Sequence, residues 1–162
     1  MSKDLCEVLK KVDEIDLRLI NILSQNGRAS YRELAKTLGV SVATVAYRVA
    51  RLQRNGLIKG FAALIDYEKF GYDITAVIEL VIREGRLLEV QRELAKEPNV
   101  VAVYDVTGEV DSIIVARFRD RQELSLFVKK VLRMPYVERT STHIVLEVVK
   151  EDFFSPRLAE GV

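Results

Sequence analysis

The chain has 162 residues, 49% of them hydrophobic, with 25 basic against 24 acidic side chains and a single cysteine. That is ample apolar material for one folded domain or two small ones, while no apolar run approaches the ~18 residues of a membrane span and the opening MSKDLCEVLKKVDEID has no apolar stretch of signal-peptide type. Cys6 alone can form neither an intrachain disulfide nor a cysteine-based zinc site, so we expect a soluble, cytoplasmic protein.

Residues 13–25, DEIDLRLINILSQ, are the first predicted helix. Ile15, Leu19, Ile22 and Leu23 make one apolar stripe, and the acidic start (Asp13, Glu14, Asp16) suits the positive end of the helix dipole. Asn26-Gly27 stops it. Residues 30–54 then read as two short helices joined by a tight turn. Leu34, Ala35 and Leu38 line the first, Gly39 supplies the turn, and Ser41 is the N-cap of the second, whose Val45, Val49 and Leu52 face inward. Three helices are about the minimum that can bury these stripes. The other faces of the last helix carry Ser41, Thr44, Tyr47, Arg48 and Arg51, and a helix so furnished can enter a DNA major groove. With Ser30 these six are the candidate DNA-binding residues, Arg48 and Arg51 leading. After the Asn55-Gly56 stop signal, LIKGFAALI has strand character, as a small wing or as a strand leading out.

Charge supports this reading through its distribution. Residues 1–60 hold 11 Lys/Arg against 6 Asp/Glu, residues 61–162 hold 14 against 18, and within 27–60 seven bases face Glu33 alone. A basic N-terminal unit on an acidic remainder fits one half meeting phosphates. The alternative is a helix pair with an ordinary solvated basic face.

The second half changes period. Residues 74–82, 100–107, 110–118 and 137–149 are strand-like, rich in Val, Ile and Thr. Residues 86–97 and 121–133 are helical, with apolar faces of Leu87, Leu88, Val90, Leu94, Ala95 and of Leu124, Phe127, Val128, Val131, Leu132. The order is β-α-β-β-α-β, so the fold class is α+β, with a ferredoxin-like sheet of four antiparallel strands under two helices. Both sheet faces look apolar. Ile74, Ala76, Ile78, Leu80 and Ile82 oppose Val77 and Val81; Val100, Ala102 and Val106 oppose Val101 and Val103; Ile113 and Val115 oppose Ile114, Ala116 and Phe118. Two helices cover one face only, so the other is expected against a second subunit, in a homodimer; the alternative is a sheet capped by the chain's own N-terminal unit. His143, the lone histidine, sits mid-strand, and no P-loop, GxGxxG, HExxH or Ser/Cys–His signature occurs. Neither an enzyme nor a metal or cofactor site is expected.

The runs VDEIDLRLINIL, GRASYRELAKTLGVS, VAYRVARLQRNGLIKGFAALID and VTGEVDSIIVARFRD, in that order and spacing, resemble the leucine-responsive (Lrp/AsnC, or feast/famine) family of transcription regulators from about residue 10 to 150. The resemblance implies a winged-helix-like helix-turn-helix domain (1–60), a hinge strand or linker (61–73), a ligand-sensing and oligomerising domain (74–150) and a C-terminal tail (151–162) that carries Phe153 and Phe154. It further implies dimers that join into tetramers, octamers or larger assemblies on near-palindromic DNA, with amino acids as usual effectors. Two positions depart from the family's habit: Val42-Ala43 stand where proline often follows Ser41, and Gln53 stands where Glu is frequent.

The effector site is argued from Thr107-Gly108-Glu109-Val110. A glycine at the first central position suits a type II′ hairpin, whose backbone N–H groups can hold a carboxylate while nearby acids hold an ammonium. Tyr104, Asp105, Thr107, Gly108, Glu109 and Asp111 are assigned to this pocket. The resemblance adds Thr140, Ser141 and Thr142 of the last strand. A solvated hairpin without ligand is the alternative. For the whole chain, the competing functions are a stand-alone amino-acid sensor and an architectural DNA-binding protein.

Overall fold

The computed structural model describes residues 12–83 and 85–151; Cys6, Phe153 and Phe154 lie outside them. Chain contacts form two compact units, one ending at Leu64 and the other spanning Ile65–Lys150. None of the described helices is long and apolar enough to cross a membrane.

The first unit is three helices, α1 (Glu14–Gln25), α2 (Tyr31–Leu38) and α3 (Val42–Arg54). The apolar stripes meet as Leu19 and Leu23 of α1, Leu34, Ala35 and Leu38 of α2, and Val45, Val49 and Leu52 of α3, all buried. Each start is capped by a side chain. Asp13 and Asp16 form a reciprocal capping box on α1, Ser30 and Glu33 another on α2, and Ser41 Oγ accepts the Thr44 N–H at 3.0 Å on α3. The turn between α2 and α3 depends on Gly39 in the left-handed conformation (φ 68°), which lets Val40 N–H donate back to Ala35.

The expected strand in LIKGFAALI does not form. Gly56 turns left-handed (φ 71°), and its N–H and that of Leu57 cap the α3 carbonyls of Gln53 and Leu52. Beyond them, no described segment pairs with residues 59–66. A strand needs a ladder partner, and this one has none among the described residues.

The second unit opens with a 3₁₀ turn, Glu68–Phe70, and continues as β1 (Ile74–Ile82), α4 (Leu87–Leu94), β2 (Val100–Asp105), β3 (Ser112–Phe118), α5 (Arg121–Leu132) and β4 (Val137–Ile144). The sheet order is β2-β3-β1-β4 with every pair antiparallel. This is the ferredoxin-like arrangement. Ala76, Ile78 and Leu80 of β1 and Ile114, Ala116 and Phe118 of β3 are buried against Val90 and Leu94 of α4 and Leu124, Phe127 and Val131 of α5. Phe118, fully buried at the end of β3, has its ring 5.2 Å from that of Phe127.

Three strand limits differ from the pattern in the sequence. β4 stops at Ile144 rather than 149 because β1, its ladder partner, begins at Ile74. β2 ends at Asp105 rather than 107, and β3 begins at Ser112 rather than 110. Asp111 turns toward β1 there, donating its N–H to Leu80 O and accepting the Ile82 N–H on its carboxylate at 2.7 Å. The facing of β2 also differs. A bulge between Val100 and Ala102 shifts the phase, so Val100 and Val103, not Val100 and Ala102, pack on the core. The opposite face of the sheet carries Val77, Ile113, Val115 and Tyr104, with Arg117 stacked on the Tyr67 ring at 4.5 Å. Lone His143 lies on the edge strand, its Nε2 3.6 Å from a Glu79 carboxylate oxygen and 3.3 Å from Ser141 Oγ.

Phe118→Ala is expected to cost about 3–5 kcal/mol, since the ring is wholly enclosed and packs on that of Phe127. Urea unfolding followed by circular dichroism checks this through a lower midpoint.

Candidate functional site

The basic helix pair is held by a buried carboxylate. Asp16 lies one turn before Leu19 on the inward side of α1 and is fully enclosed. An isolated buried charge is prohibitively costly, and two guanidiniums from α3 compensate it. Arg48 Nη1 donates to Asp16 Oδ1 at 2.8 Å and to Asp13 Oδ2 at 2.7 Å, and Arg51 Nη2 donates to Asp16 Oδ2. Only 17% of the Arg48 side chain and 25% of that of Arg51 is exposed. Burial alone pushes Asp13 up. The Arg48 and Asp16 N–H hydrogen bonds and the charges of Arg48 and Arg51 outweigh that and hold its carboxyl below the ordinary aspartate range. Against its own desolvation, Arg48 is held above its ordinary value by the same two acids.

Arg48 and Arg51, the leading candidates from the sequence, thus ion-pair within the unit and fix the position of α3. The hydroxyls are also partly used. Ser30 accepts the Glu33 N–H, and the Ser41 and Thr44 oxygens lie 2.8 Å apart. Of the six candidates, Tyr47 stands out freely, 61% exposed. Around it on the outer face of α3 are exposed Val42, Ala43, Ala50, Gln53 and Arg54, with half-buried Ala46. Arg28, Arg32, Lys36, Arg54 and Lys59 are exposed and in no ion pair among the described residues. One signal for the clamp was present in the sequence. Asp16 stands three and seven residues before Leu19 and Leu23, an acid in line with an apolar stripe, and such an acid requires a partner.

In the second unit, Tyr104, Asp105, Thr107, Gly108, Glu109 and Asp111 gather at one corner of the sheet. They do so on a six-residue loop, 106–111, instead of a two-residue type II′ hairpin, because Asp111 is drawn onto β1. The base of this corner is bolted from inside. Buried Ser112 donates to Tyr104 O at 2.8 Å and accepts from Gln91 Nε2 at 3.2 Å. Asp111 is likewise occupied on one oxygen by the Ile82 N–H. The outer groups are unengaged. Asp105 and Glu109 are exposed without ion pairs, and the N–H groups of Thr107, Gly108, Glu109 and Val110 donate to nothing among the described residues. Gly108 (φ 129°) has no atom near the position a side chain would take.

Thr140, Ser141 and Thr142 are not brought to this corner. They lie on β4, opposite Leu80, Glu79 and Ile78 of β1, at the far edge of the sheet. Three strand spacings, roughly 14 Å, separate β2 from β4. A separate cleft of about 250 Å³ between α4 and α5 is lined by Glu93, Leu94, Glu97, Phe127, Lys130, Val131 and Met134, and by none of the effector candidates.

Comparison with known proteins bears on both units. Residues 12–59 match the family described as winged helix-turn-helix DNA-binding, and residues 75–153 match the Lrp/AsnC ligand binding domain. An HTH-type transcriptional regulator of Pyrococcus abyssi is 46% identical over 142 residues, covering 88% of this chain and 97% of its own. A transcriptional regulator–L-Met complex from Neisseria meningitidis has a similar structure (TM-score 0.81, 26% identity, 90% of this chain and 97% of that one). So does E. coli AsnC (TM-score 0.79, 26% identity, 86% and 95%).

Removing the buried acid separates clamp from surface. Asp16→Ala leaves the Arg51 guanidinium unmatched and Arg48 with Asp13 alone, and is expected to destabilise the chain by about 3 kcal/mol, measured by urea unfolding at neutral pH. The pH dependence follows from Asp13. A carboxyl whose folded pKa is lowered stabilises fully above its unfolded value of about 3.9 and loses that contribution as pH falls through the folded value. Asp13→Asn is therefore expected to lower stability at pH 7 and to flatten the acid limb below pH ~4.

Proposed function

From a chain that belongs to the Lrp/AsnC family of helix-turn-helix transcriptional regulators, we infer a sequence-specific DNA-binding protein whose hold on its operator is set by an amino acid. One observation carries the DNA-binding part. α3 is fixed from behind by Asp16, while its outer face and five surrounding cations are in no ion pair among the described residues. The cations meet phosphates, which position the unit, and the outer face meets base edges, which specify the sequence. Ser30, Ser41 and Thr44 keep hydroxyl hydrogens or lone pairs for phosphates at the two helix starts, and Tyr47 reaches into the groove. Arg48 and Arg51 act through the position of α3.

In a homodimer built on the open apolar face of the sheet, two α3 helices meet two half-sites one or more helical turns apart, hence a near-palindromic operator. Further association gives tetramers, octamers or larger assemblies. The N-terminal 1–60 domain reads DNA, residues 61–73 link it to the 74–150 sensing domain, and 151–162 form a tail. Such work on DNA places the protein in the cytoplasm.

The effector reading rests on the loop corner. Free N–H groups of residues 107–110 suit an α-carboxylate, and Asp105 and Glu109 suit an α-ammonium. The L-Met bound by the Neisseria relative supports the same chemical class here. Thr140, Ser141 and Thr142 can join such a site when a second copy brings its edge strand to the corner. Effector binding between copies then alters assembly or half-site geometry, and DNA must alter effector affinity by the same factor.

Selection from random duplexes tests the reading. A near-palindromic consensus is expected, and in its complex Arg32→Ala and Arg54→Ala should each reduce the slope of log K against log[salt] by about 0.9. Calorimetry across the amino acids is expected to find at least one that binds and that Gly108→Val prevents from binding. Equal affinity for every duplex would contradict the regulator reading.

A further inference from the structure

The outer face of α3 is unusual for what it lacks. Its four long polar side chains are Arg48, Arg51, Gln53 and Arg54. The first two are taken by Asp13 and Asp16, and the last two stand in the final turn. A recognition helix meets base edges with its N-terminal residues. In the first two turns the outward residues are Val42 (45% exposed), Ala43, Ala46 and Tyr47. The nearby hydroxyls of Ser41 and Thr44 hold each other. Thus the part of α3 placed to enter the groove offers mainly methyl groups and a phenol ring, its side-chain polar groups being the Tyr47 hydroxyl and the Thr44 hydroxyl held by Ser41.

The major groove has one matching feature. Guanine shows two acceptors, cytosine a donor, adenine one of each, and thymine an acceptor beside its C5-methyl. Apolar side chains pressed on a G·C pair strip water from acceptors and donors and replace none of the hydrogen bonds, which is costly. Pressed on a thymine methyl they bury apolar area. We propose that the half-site is read chiefly through thymine methyl groups packed against Val42, Ala43, Ala46 and Tyr47, these being the specificity-determining residues of the chain. The proposal rests on the DNA-binding reading above and names how that site discriminates.

Uracil differs from thymine only by the missing methyl and keeps the pairing edge and O4. The test uses the full chain and the duplex selected from random sequence, with each half-site thymine replaced in turn by uracil and binding followed by fluorescence anisotropy. Thymines facing α3 should each lose roughly three- to fourfold in affinity per methyl removed, and losses at separate positions should multiply. In Tyr47→Ala the penalty at one or more of these positions should vanish, whereas Tyr47→Phe should keep it. Tyr47 is exposed, so thermal melting should be unchanged and both variants remain folded. If the fully uracil-substituted half-sites bind as tightly as the thymine duplex while sequence preference persists, methyl readout is overturned and the regulator reading stands. If selection yields no preferred sequence, both fall.

Discussion

A single enclosed carboxylate orders the DNA-binding unit. Aliphatic stripes such as Leu19–Leu23, Leu34–Leu38 and Val45–Leu52 pull three helices together, but apolar contact is non-directional. Asp16 adds direction. Its two oxygens take Arg48 and Arg51 from α3 while its own first turn is tied to Asp13 by a capping box, so a rotation or slide of α3 would strand a charge with no water nearby. Function follows from this constraint. Arg48 and Arg51 are spent inside, and what remains outward in the first two turns of α3 is mostly small, apolar and aromatic.

The sheet unit repeats that division of labour at its loop corner. Ser112, Gln91 and Asp111, the polar groups nearest the core, tie the corner to β2, α4 and β1. Groups one or two residues further out, Asp105, Glu109 and the N–H groups of 107–110, have no partners among the described residues. In both units the inner polar groups fix geometry, and the outer ones are those that the proposed function assigns to ligands; a site preorganised in this way avoids ordering costs on binding.

Much of this was legible from the sequence, and the rest was not for definite reasons. Helical stripes and the Ser41 cap are local patterns, and each reappears in the structure. The ferredoxin-like order follows from period changes along the chain. The commitment of Arg48 and Arg51 is not local, because it depends on where α1 lies 32–35 residues earlier. A bulge reset the facing of β2 at Val100 after alternation had been read straight through. Strand character in 57–65 could not say whether a partner strand exists, and within this chain none does among the described residues. Sheet order, not spacing, keeps Thr140–Thr142 away from the 106–111 loop.

The most direct measurement is the salt dependence of operator affinity for Arg48→Ala, taken at a temperature where the variant is folded and paired with its urea unfolding curve. The account predicts a marked loss of stability, with the slope of log K against log[salt] the same as in the native chain. A variant as stable as the native chain, with a slope reduced by about 0.9, would show Arg48 on a phosphate instead of on Asp16 and would contradict it.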